Sequence, residues 1–311
     1  IEKAKKAGAD AIKFQTFKAE RLNTKKAPKA QYHIKTTGNK QSWYDLLKTQ
    51  ELNEKEHKII SDYCKKKNII FLSTPYDTES VDLLNKLGVP AFKIASCDIN
   101  NTPLLGYIAK KKKPIILSTG MSTIKEIEEA VKTIKKEGNK NIILLQCTAN
   151  YPAKPENSNL RVINTLKNRF DLLVGYSDHT LNQLTAIASI AAGSMVYEAH
   201  LTINKNLPGP DHKSSFEPEE FKKVIDAIRK TEIILGSPVK IITKEEKENR
   251  KKLRRSVVAN SNIKKGSIIK KEMIAIKRPA TGLEPKFFYK IVGKRAKVDI
   301  PKDTIIKMKH V

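Results

Sequence analysis

The sequence predicts an α/β protein in which a (β/α)8 TIM barrel is followed by a small β-rich domain. Short apolar segments alternate with amphipathic, helix-like segments over the first three quarters of the chain, as expected for consecutive βα units. From residue 254 onwards, short strands and tight turns replace this alternation. Because the helix-like start Ile1–Ala7 has no strand before it, we expect the first barrel strand to be missing from this chain. The alternative is a doubly wound open sheet.

Seven apolar runs account for the other strands of the barrel. Most are continuous rather than alternating, as expected for parallel strands that are buried on both faces. They are Ala9–Gln15, Ile69–Ser73, Ala91–Ala95, Pro114–Ser118, Asn141–Gln146, Leu172–Tyr176 and Met195–Glu198. Helices lie between them, and polar or acidic residues after Asn53, Thr123 and Glu217 mark three helix N-termini. Gly236 is expected to end the last long helix.

The chain divides into three parts. Residues 1–241 form the predicted barrel domain, residues 242–253 are a charged stretch that we interpret as a linker, and residues 254–311 form the small β-rich domain. The last part contains an internal repeat, since Ile263–Lys270 resembles Ile300–Lys307. A domain of this size has a marginal core, so we expect it to pack on a partner.

The charge of the chain is strongly basic. There are 60 basic and 33 acidic residues, which gives a formal net charge of +27. Such a charge suggests a nucleic-acid partner, but the lysines are spread over the whole chain and only 6% of the residues are aromatic. We therefore predict a solvated lysine-rich surface, no nucleic-acid partner, and a field that attracts a phosphorylated, acidic substrate.

Cysteine content and hydropathy indicate the compartment. The three cysteines Cys64, Cys97 and Cys147 do not form an even set, which favours a reducing environment. No apolar run is long enough to span a bilayer, and no signal peptide is visible. The sequence thus predicts a cytoplasmic protein without a membrane partner.

Two histidines end consecutive strand-like segments. His179 follows Leu172–Tyr176, His200 follows Met195–Glu198, and the helical stretch Leu184–Ala192 lies between them. A strand-helix-strand unit makes its strands parallel neighbours, so both imidazoles are expected at the same edge of the sheet. Two protein ligands leave positions open, as a catalytic metal requires. We predict one divalent metal bound by both histidines; the alternative is two unrelated histidines.

Other polar side chains also lie at the carboxyl ends of the predicted strands. In a parallel barrel this edge carries the active site. Lysines at the ends of apolar strands are costly to bury unless an anion pairs with them, so Lys13 and Lys93 are candidate anion receptors. The other members of this set are Gln15, Thr74, Ser96, Asp98, Ser118, Tyr151, Ser177 and Glu198.

Five motifs occur in the order in which one known family has them. They are Gly8–Gln15, Lys93–Ser96, Ser118–Ser122, Gly175–Thr180 and Gly209–His212. Essentially the whole chain resembles N-acetylneuraminate (sialic acid) synthases, which condense phosphoenolpyruvate with an N-acetylmannosamine-type sugar. The tail from Arg254, with its Lys277–Gly282 turn, resembles the antifreeze-like SAF domain of that family, which has a β-clip fold.

The resemblance implies a transferase of sialic acid biosynthesis and assigns roles to the residues above. His179 and His200 would bind manganese or magnesium, and Asp98 and Glu198 would be catalytic carboxylates. The phosphoenolpyruvate site would comprise Lys13, Thr74, Lys93, Ser96, Ser118 and Ser177, and the sugar site Gln15, Tyr151, Asp211 and Arg278. The family further implies a domain-swapped homodimer in which each small domain covers the partner's barrel.

The sequence also departs from the family. The N-terminal strand of the family, which carries a glutamate and an Asn-His pair near the active site, has no counterpart in this chain. Ala199 stands where the family usually has lysine, and Cys97 where glycine is common. The acceptor sugar therefore stays open among N-acetylmannosamine, its 6-phosphate, and the trideoxy-diacetamido sugars that give legionaminic or pseudaminic acid.

Two alternatives concern the chemistry as a whole. A barrel lysine such as Lys93 could form a Schiff base, as in aldolases that use pyruvate. The protein could also be a non-catalytic carbohydrate- or nucleic-acid-binding protein with an inactive barrel. The other histidines receive no chemical role: His57 is expected to face solvent in a lysine-rich helix, and His33, His212 and His310 lie in loops or the tail.

Overall fold

The computed structural model describes residues 1–311 and divides them into two compact units, Ile1–Gly236 and Ser237–Val311. The predicted fold class is confirmed, because parallel strands and helices alternate through the first unit and a small β-containing unit follows. No helix in the structure combines the length and the apolar character needed to cross a membrane.

All seven predicted strands are present in the first unit. They are β1 (Ala11–Thr16), β2 (Ile70–Pro75), β3 (Phe92–Ile94), β4 (Ile115–Ser118), β5 (Ile142–Cys147), β6 (Leu173–Asp178) and β7 (Tyr197–Ala199). Strands β1 and β2 pair in parallel, and β3 to β7 form a five-stranded parallel sheet in sequential order. Every carboxyl end in each sheet therefore points to the same edge.

Eleven helices accompany these strands. They are α1 (Glu2–Ala7), α2 (Ala19–Leu22), α3 (Gln31–Thr37), α4 (Trp43–Lys48), α5 (Glu54–Lys66), α6 (Thr78–Lys86), α7 (Thr102–Lys110), α8 (Ile124–Lys136), α9 (Val162–Phe170), α10 (Gln183–Ala191) and α11 (Pro218–Leu235). The three predicted N-termini are confirmed, since Asn53, Thr123 and Glu217 each form a reciprocal capping box. Gly236 follows the last helix with a φ of 54°.

The core of the first unit lies between the strands and the helices that cover them. Phe92, Ile115, Leu117 and Leu144 on the strands are fully buried. Helix α7 adds Leu105 and Ile108, which are also fully buried, to the same cluster. Burial of this kind explains the continuous apolar runs of β3, β4 and β5, because these strands are covered on both faces. Strands β1 and β7 are only partly buried.

The prediction for His57 was wrong, because this histidine is completely buried. Its Nε2 lies 2.8 Å from Thr16 Oγ1, and its Nδ1 lies 2.9 Å from the carbonyl oxygen of Asn53. His57, Ser61 and Cys64 are the buried residues of α5. Their i, i+4, i+7 spacing places them on one helix face, and the surrounding lysines hid this pattern.

The sequence did not predict the helices in the connection between β1 and α5. Residues 17–53 contain the short helices α2, α3 and α4. The buried apolar residues of this segment, Phe17, Ala19 and Leu47, form one small cluster. Because the segment has so few buried apolar residues, it lacks the periodicity that predicts helices.

The second unit has its own core. It contains α12 (Lys244–Leu253), β8 (Ser256–Ala259), β9 (Ile274–Lys277) and α13 (Phe288–Ile291), and β8 pairs antiparallel with β9. The buried residues of its cluster are Val257, Ala259, Ile263, Ile269, Ile274, Leu283, Ile291, Ala296, Ile300, Ile306 and Val311. The charged stretch that we interpreted as a linker is largely helical, and it has no buried residue to produce a periodic signal.

The internal repeat has a structural counterpart in this unit. Ile263 and Ile300, which begin the two copies, form an antiparallel bridge. Each donates its backbone N–H to the other's carbonyl oxygen at 2.8 Å. The two copies therefore meet at equivalent positions, which explains why the sequence repeats there.

Candidate active site

Six predicted site residues line one cavity of about 1020 Å³ in the first unit, next to β1 and β7. They are Lys13, Gln15, Lys93, Glu198, His200 and Asp211. Lys13, Gln15, Lys93 and Glu198 lie on β1, β3 and β7, His200 directly follows β7, and Asp211 lies in the loop after β7. The topology thus gathers them at the edge where the sequence places the site.

Two lysines and a glutamate form an ion cluster in this site. The Glu198 carboxylate lies 2.9 Å from Lys13 Nζ and 3.7 Å from Lys93 Nζ. Ser177 Oγ donates a hydrogen bond of 2.8 Å to the same carboxylate. Lys93 is 2% exposed, and its ammonium donates to Ser118 Oγ at 2.6 Å and to a backbone carbonyl oxygen at 3.0 Å. Two ammonium groups and one carboxylate leave a net positive charge in a largely enclosed place.

Burial and charge shift the pKa values of this cluster. Burial opposes ionisation of Glu198, but Lys13 and Lys93 outweigh it and hold the pKa of that carboxyl well below its usual value. Burial lowers the pKa of Lys93, Glu198 opposes that shift and Lys13 adds to it, and together they lower the pKa to about 8. The carboxylate is therefore fully ionised at neutral pH, and Lys93 is a lysine whose charge changes close to that range.

The two predicted metal ligands lie side by side. The ring centroids of His179 and His200 are 5.3 Å apart. Nδ1 of His179 lies 2.8 Å from the carbonyl oxygen of Thr148, so Nδ1 carries the proton and Nε2 keeps its lone pair. Burial lowers the pKa of His179, and burial together with the neighbouring ring lowers that of His200 to about 3. Both imidazoles are neutral at physiological pH.

This donor set fits a divalent metal as a pair of nitrogen ligands. Neutral imidazoles with a free nitrogen suit first-row divalent ions, and a carbonyl oxygen that orients one ring is the usual outer partner of such a ligand. No group of three or more histidine, cysteine or acidic residues joins them in the structure. The remaining ligands would therefore have to be water or substrate, which leaves open positions.

A buried carboxylate holds the turn that carries His179. Asp178 is 2% exposed and accepts hydrogen bonds from the backbone N–H of Thr180 at 2.8 Å and from its hydroxyl at 2.7 Å. The hydroxyls of Thr185 and Tyr197 donate to the other carboxylate oxygen at 2.8 and 2.9 Å. These bonds link the end of β6 to α10 and β7, so they orient the two histidine-bearing strands together.

A glycine lets β6 and β7 come close enough for this arrangement. A Cβ on Gly175 would lie 2.5 Å from the carbonyl oxygen of Val196 and 2.5 Å from the side chain of Leu145. The backbone N–H of Tyr176 donates to that same carbonyl oxygen at 2.7 Å. The first residue of the GYSDHT motif is thus required by packing.

The other predicted site residues take several positions. Thr74, paired in register with Gln15, is buried at the end of β2, and Ser96 Oγ accepts a 3.0 Å hydrogen bond from the backbone N–H of Gly120. Burial raises the pKa of both the Asp98 and the Asp211 carboxyls. Thr74, Ser96 and Asp98 lie at or just after the ends of β2 and β3, and Asp211 lies in the loop after β7; the roles predicted for them stay predictions.

Arg278 differs from this set because it belongs to the second unit. Its side chain is exposed, and it precedes Pro279 at the end of β9. The sugar-binding role that the resemblance implies for this residue stays a prediction.

Tyr151 is the aromatic residue closest to the histidine pair. Its ring centroid lies 4.1 Å from that of His179 and 5.5 Å from that of His200. Tyr32, which sequence reasoning missed, also contacts Tyr151, with ring centroids 5.1 Å apart and an interplanar angle of 38°. The available signal was a concentration of rings at Tyr32, His33 and Trp43 in a chain that is only 6% aromatic.

The fold and the site together define a class of enzyme. A barrel-type parallel sheet presents two lysines around a carboxylate, beside two neutral imidazoles, at the edge where such folds bind substrates. Such a site suits a small anionic substrate.

The chain belongs to the NeuB family, whose sequence model matches residues 1–240, and a SAF domain model matches residues 254–311. The resemblance to sialic acid synthases that the motifs indicated is thereby confirmed, including the antifreeze-like C-terminal domain.

Named relatives support the same assignment. The chain is 45% identical to an N,N'-diacetyllegionaminic acid synthase of Campylobacter jejuni, over 99% of this chain and 92% of the relative. It is 34% identical to the human N-acetylneuraminate-9-phosphate synthase, over 98% of this chain and 85% of the relative. A crystal structure of a sialic acid synthetase from Leptospira borgpetersenii, in complex with citrate, matches with a TM-score of 0.70 and 33% identity, covering 80% of this chain and 82% of that one.

Proposed function

We propose that this enzyme condenses phosphoenolpyruvate with a trideoxy-diacetamido hexose and releases phosphate, which gives a nonulosonic acid of the legionaminic type. The observation that carries the proposal is the cluster of Lys13, Lys93 and Glu198 in one cavity with His200. The choice of acceptor rests on relatives, since identity is 45% and 41% to two legionaminic acid synthases but 34% to the human 9-phosphate synthase. A purely carbohydrate-binding role is not favoured.

The reaction has one bond-forming step and one hydration step. The C3 carbon of phosphoenolpyruvate attacks the aldehyde carbon of the open-chain sugar, and its C2 carbon becomes cationic. Water then adds to C2, and the resulting tetrahedral centre expels phosphate by cleavage of the C–O bond. Phosphoenolpyruvate, sugar and water thus yield the acid and phosphate, with no oxidant or reductant.

The lysine-carboxylate cluster supports both steps. In this proposal Lys13 and Lys93 receive the phosphate and carboxylate groups of the substrate, and Ser118 and Ser177, which hydrogen-bond to Lys93 and Glu198, are hydroxyl partners. Glu198 stays ionised and offers negative charge where the cation develops at C2. When the anionic substrate arrives, the lysines exchange part of their attraction to Glu198 for the substrate, which frees the carboxylate for that task.

His179 and His200 would hold the metal in this proposal. A divalent ion bound there supplies Lewis-acid polarisation of the aldehyde oxygen, and the family resemblance favours manganese or magnesium. We expect Asp211, which lines the same cavity, and Tyr151, which lies beside the imidazoles, to orient the sugar. Asp98 is proposed as the second carboxylate near the reacting centre.

Two further expectations belong to the proposal. We infer a homodimer in which the small C-terminal domain of each copy covers the partner's barrel, so that Arg278 would contact the sugar of the other copy. Mixing Arg278→Ala with His200→Ala protein should then restore part of the activity through heterodimers. A cytoplasmic location also stays a prediction.

A panel of acceptors tests the function. Phosphate release should be highest with phosphoenolpyruvate and the trideoxy-diacetamido hexose, and lower with N-acetylmannosamine or its 6-phosphate. Mass spectrometry of the product should give the mass of the nine-carbon acid. A reaction without acceptor is the control. Equal phosphate release in that control, or a preference for the phosphorylated acceptor, would contradict the proposal.

The pH dependence of kcat/KM for phosphoenolpyruvate is expected to follow the charge of the Lys93 ammonium. This ammonium must be charged to bind the anion, and its lowered pKa of about 8 means that the charge is present below that pH and lost above it. Glu198, Lys13 and Cys147 are the titratable groups that act on it. We expect kcat/KM for phosphoenolpyruvate to fall about tenfold per pH unit above that value. A profile that stays flat to about pH 10, the range of an ordinary lysine, with the fold intact by circular dichroism, would contradict this.

A further inference from the structure

The connection between β1 and α5 is the longest of those that leave the carboxyl ends of the seven strands. It runs over residues 17–53 and carries α2, α3 and α4, whereas β2 and β6 reach their next helices within a few residues. Long connections at this edge of a barrel adapt one scaffold to different substrates. The function of this segment is not explained by the lysine cluster or the histidine pair.

A continuous row of rings leads from this segment into the site. His33 stacks on Trp43 with centroids 4.1 Å apart and an interplanar angle of 17°, and Tyr32 lies 4.2 Å from His33. Tyr32 then contacts Tyr151 at 5.1 Å, and Tyr151 contacts His179 at 4.1 Å. Tyr32 is thus separated from the histidine pair by a single ring.

Helix α3, which carries Tyr32 and His33, has no buried residue. It therefore has little core packing of its own, and the ring contacts of Tyr32 and His33 contribute to holding it beside the site. Burial and the nearby carboxyl of Asp211 raise the pKa of Tyr32, so the phenol is neutral and offers an uncharged ring.

We propose that Tyr32 is a specificity-determining residue that, together with Tyr151, forms an aromatic wall against the apolar substituents of the acceptor sugar. This inference rests on the proposed function and names the residue that distinguishes the acceptors. The trideoxy-diacetamido hexose carries a methyl group where N-acetylmannosamine has a hydroxymethyl group, and a second acetamido methyl where it has a hydroxyl. Tyr32 contacts these methyl groups.

The chemistry of the wall explains the direction of the preference. A methyl group against an aromatic face is removed from water at no polar cost. A hydroxyl in the same place loses its water without gaining a partner. One methyl-sized difference in an apolar pocket is worth about ten- to 200-fold in kcat/KM, so one ring suffices to separate the two classes of acceptor.

The test compares Tyr32→Ala, Tyr32→Phe and His33→Ala, with both acceptors. Tyr32→Ala should lower kcat/KM for the trideoxy-diacetamido hexose about tenfold or more through its KM. The values for N-acetylmannosamine and the KM for phosphoenolpyruvate should stay nearly unchanged. Tyr32→Phe keeps the ring and should keep the wild-type ratio. His33→Ala is the matched control, because it loosens the same helix but keeps Tyr32, and should change both acceptors alike.

Binding is measured separately by saturation-transfer NMR, which needs no turnover. The acetamido and C6 methyl protons of the acceptor should receive the strongest saturation from the wild-type protein and lose it in Tyr32→Ala. An unchanged acceptor ratio in Tyr32→Ala, or equal effects of Tyr32→Phe and Tyr32→Ala, would overturn the inference. If instead no acceptor were turned over but the methyl contacts still depended on Tyr32, the proposed function would fail and the inference would stand.

Discussion

Replacing Lys93 with methionine is expected to lower kcat/KM for phosphoenolpyruvate about a thousandfold, because it removes a preorganised charge from an enclosed site. Lys93 is 2% exposed and is oriented by Ser118 at 2.6 Å. It is the less solvated of the two lysines around Glu198, since its side chain is 3% exposed and that of Lys13 is 25% exposed. Loss of the buried charge therefore removes the stronger attraction for the anion.

The substitution should leave the fold intact. Methionine has a similar shape and no charge to bury, and removing one partner of a buried ion pair is strongly destabilising only when it leaves the other charge uncompensated. Glu198 keeps Lys13 at 2.9 Å and the Ser177 hydroxyl at 2.8 Å as partners. The loss should thus fall on substrate binding and turnover, and the melting temperature should change little.

Lys113→Met is the matched control for this experiment. Lys113 is another partly buried lysine, but its ammonium donates to the carbonyl oxygen of Val89 at 2.8 Å and lies away from Glu198. The measurements are initial rates against phosphoenolpyruvate concentration and thermal melts of both variants. Wild-type kcat/KM in Lys93→Met, or an equal loss in Lys113→Met, would contradict the assigned role.

The same residue separates two mechanisms. A lysine with a pKa near 8 is also suited to form an imine with a carbonyl substrate. Borohydride treatment with phosphoenolpyruvate or pyruvate should nevertheless give no adduct, because Lys93 is held in an ion cluster beside Glu198. A stable adduct that is absent from Lys93→Met would assign the enzyme to aldolase-type chemistry.

The strands were predictable because their signal is local. A buried parallel strand is an apolar run, and each predicted run overlaps an observed strand, as Ile69–Ser73 overlaps β2 and Leu172–Tyr176 overlaps β6. Helix starts were predictable for the same reason, since a capping box at Thr123 or Asn53 involves residues three positions apart.

The partners within the site could be predicted only in part. The positions of the strand ends predicted which residues share one edge of the sheet. They did not predict that Lys13 pairs with Glu198, because these residues are far apart in the chain and meet only through the three-dimensional arrangement of β1 and β7. The assignment of Glu198 and the lysines to separate roles therefore did not reveal that they pair with one another in the free enzyme.

Tyr32 and His57 escaped prediction for opposite reasons. His57 lies on a periodic helix, but the many lysines of that helix concealed its single buried face. Tyr32 lies on a helix with no buried residue, so no periodicity existed to be found. In both cases the decisive contacts, with Thr16 and with Tyr151, come from distant parts of the chain.

Loss of either histidine of the pair is expected to remove bound metal and to reduce turnover about a thousandfold or more, since Lewis-acid assistance contributes several kcal/mol to such reactions. His179→Gln and His200→Gln are suitable variants, because glutamine fills a similar volume and is a poor ligand for these ions. Manganese content after dialysis, measured by atomic emission, gives a readout that does not depend on activity. His310→Gln, in the second unit, is the control.

Loss of the metal and loss of turnover are expected to occur together, because both histidines are needed to hold the ion. Each imidazole is neutral, and the ring of His179 is fixed by the carbonyl oxygen of Thr148, so a single remaining ring offers one nitrogen and cannot hold the ion against solvent. Chelation of the wild-type protein should therefore reproduce the variants' loss, and added manganese should restore the wild type but not His200→Gln. Full activity in a protein that carries both substitutions would contradict any role of the imidazoles in the reaction, and a wild type that is indifferent to chelation would contradict the metal.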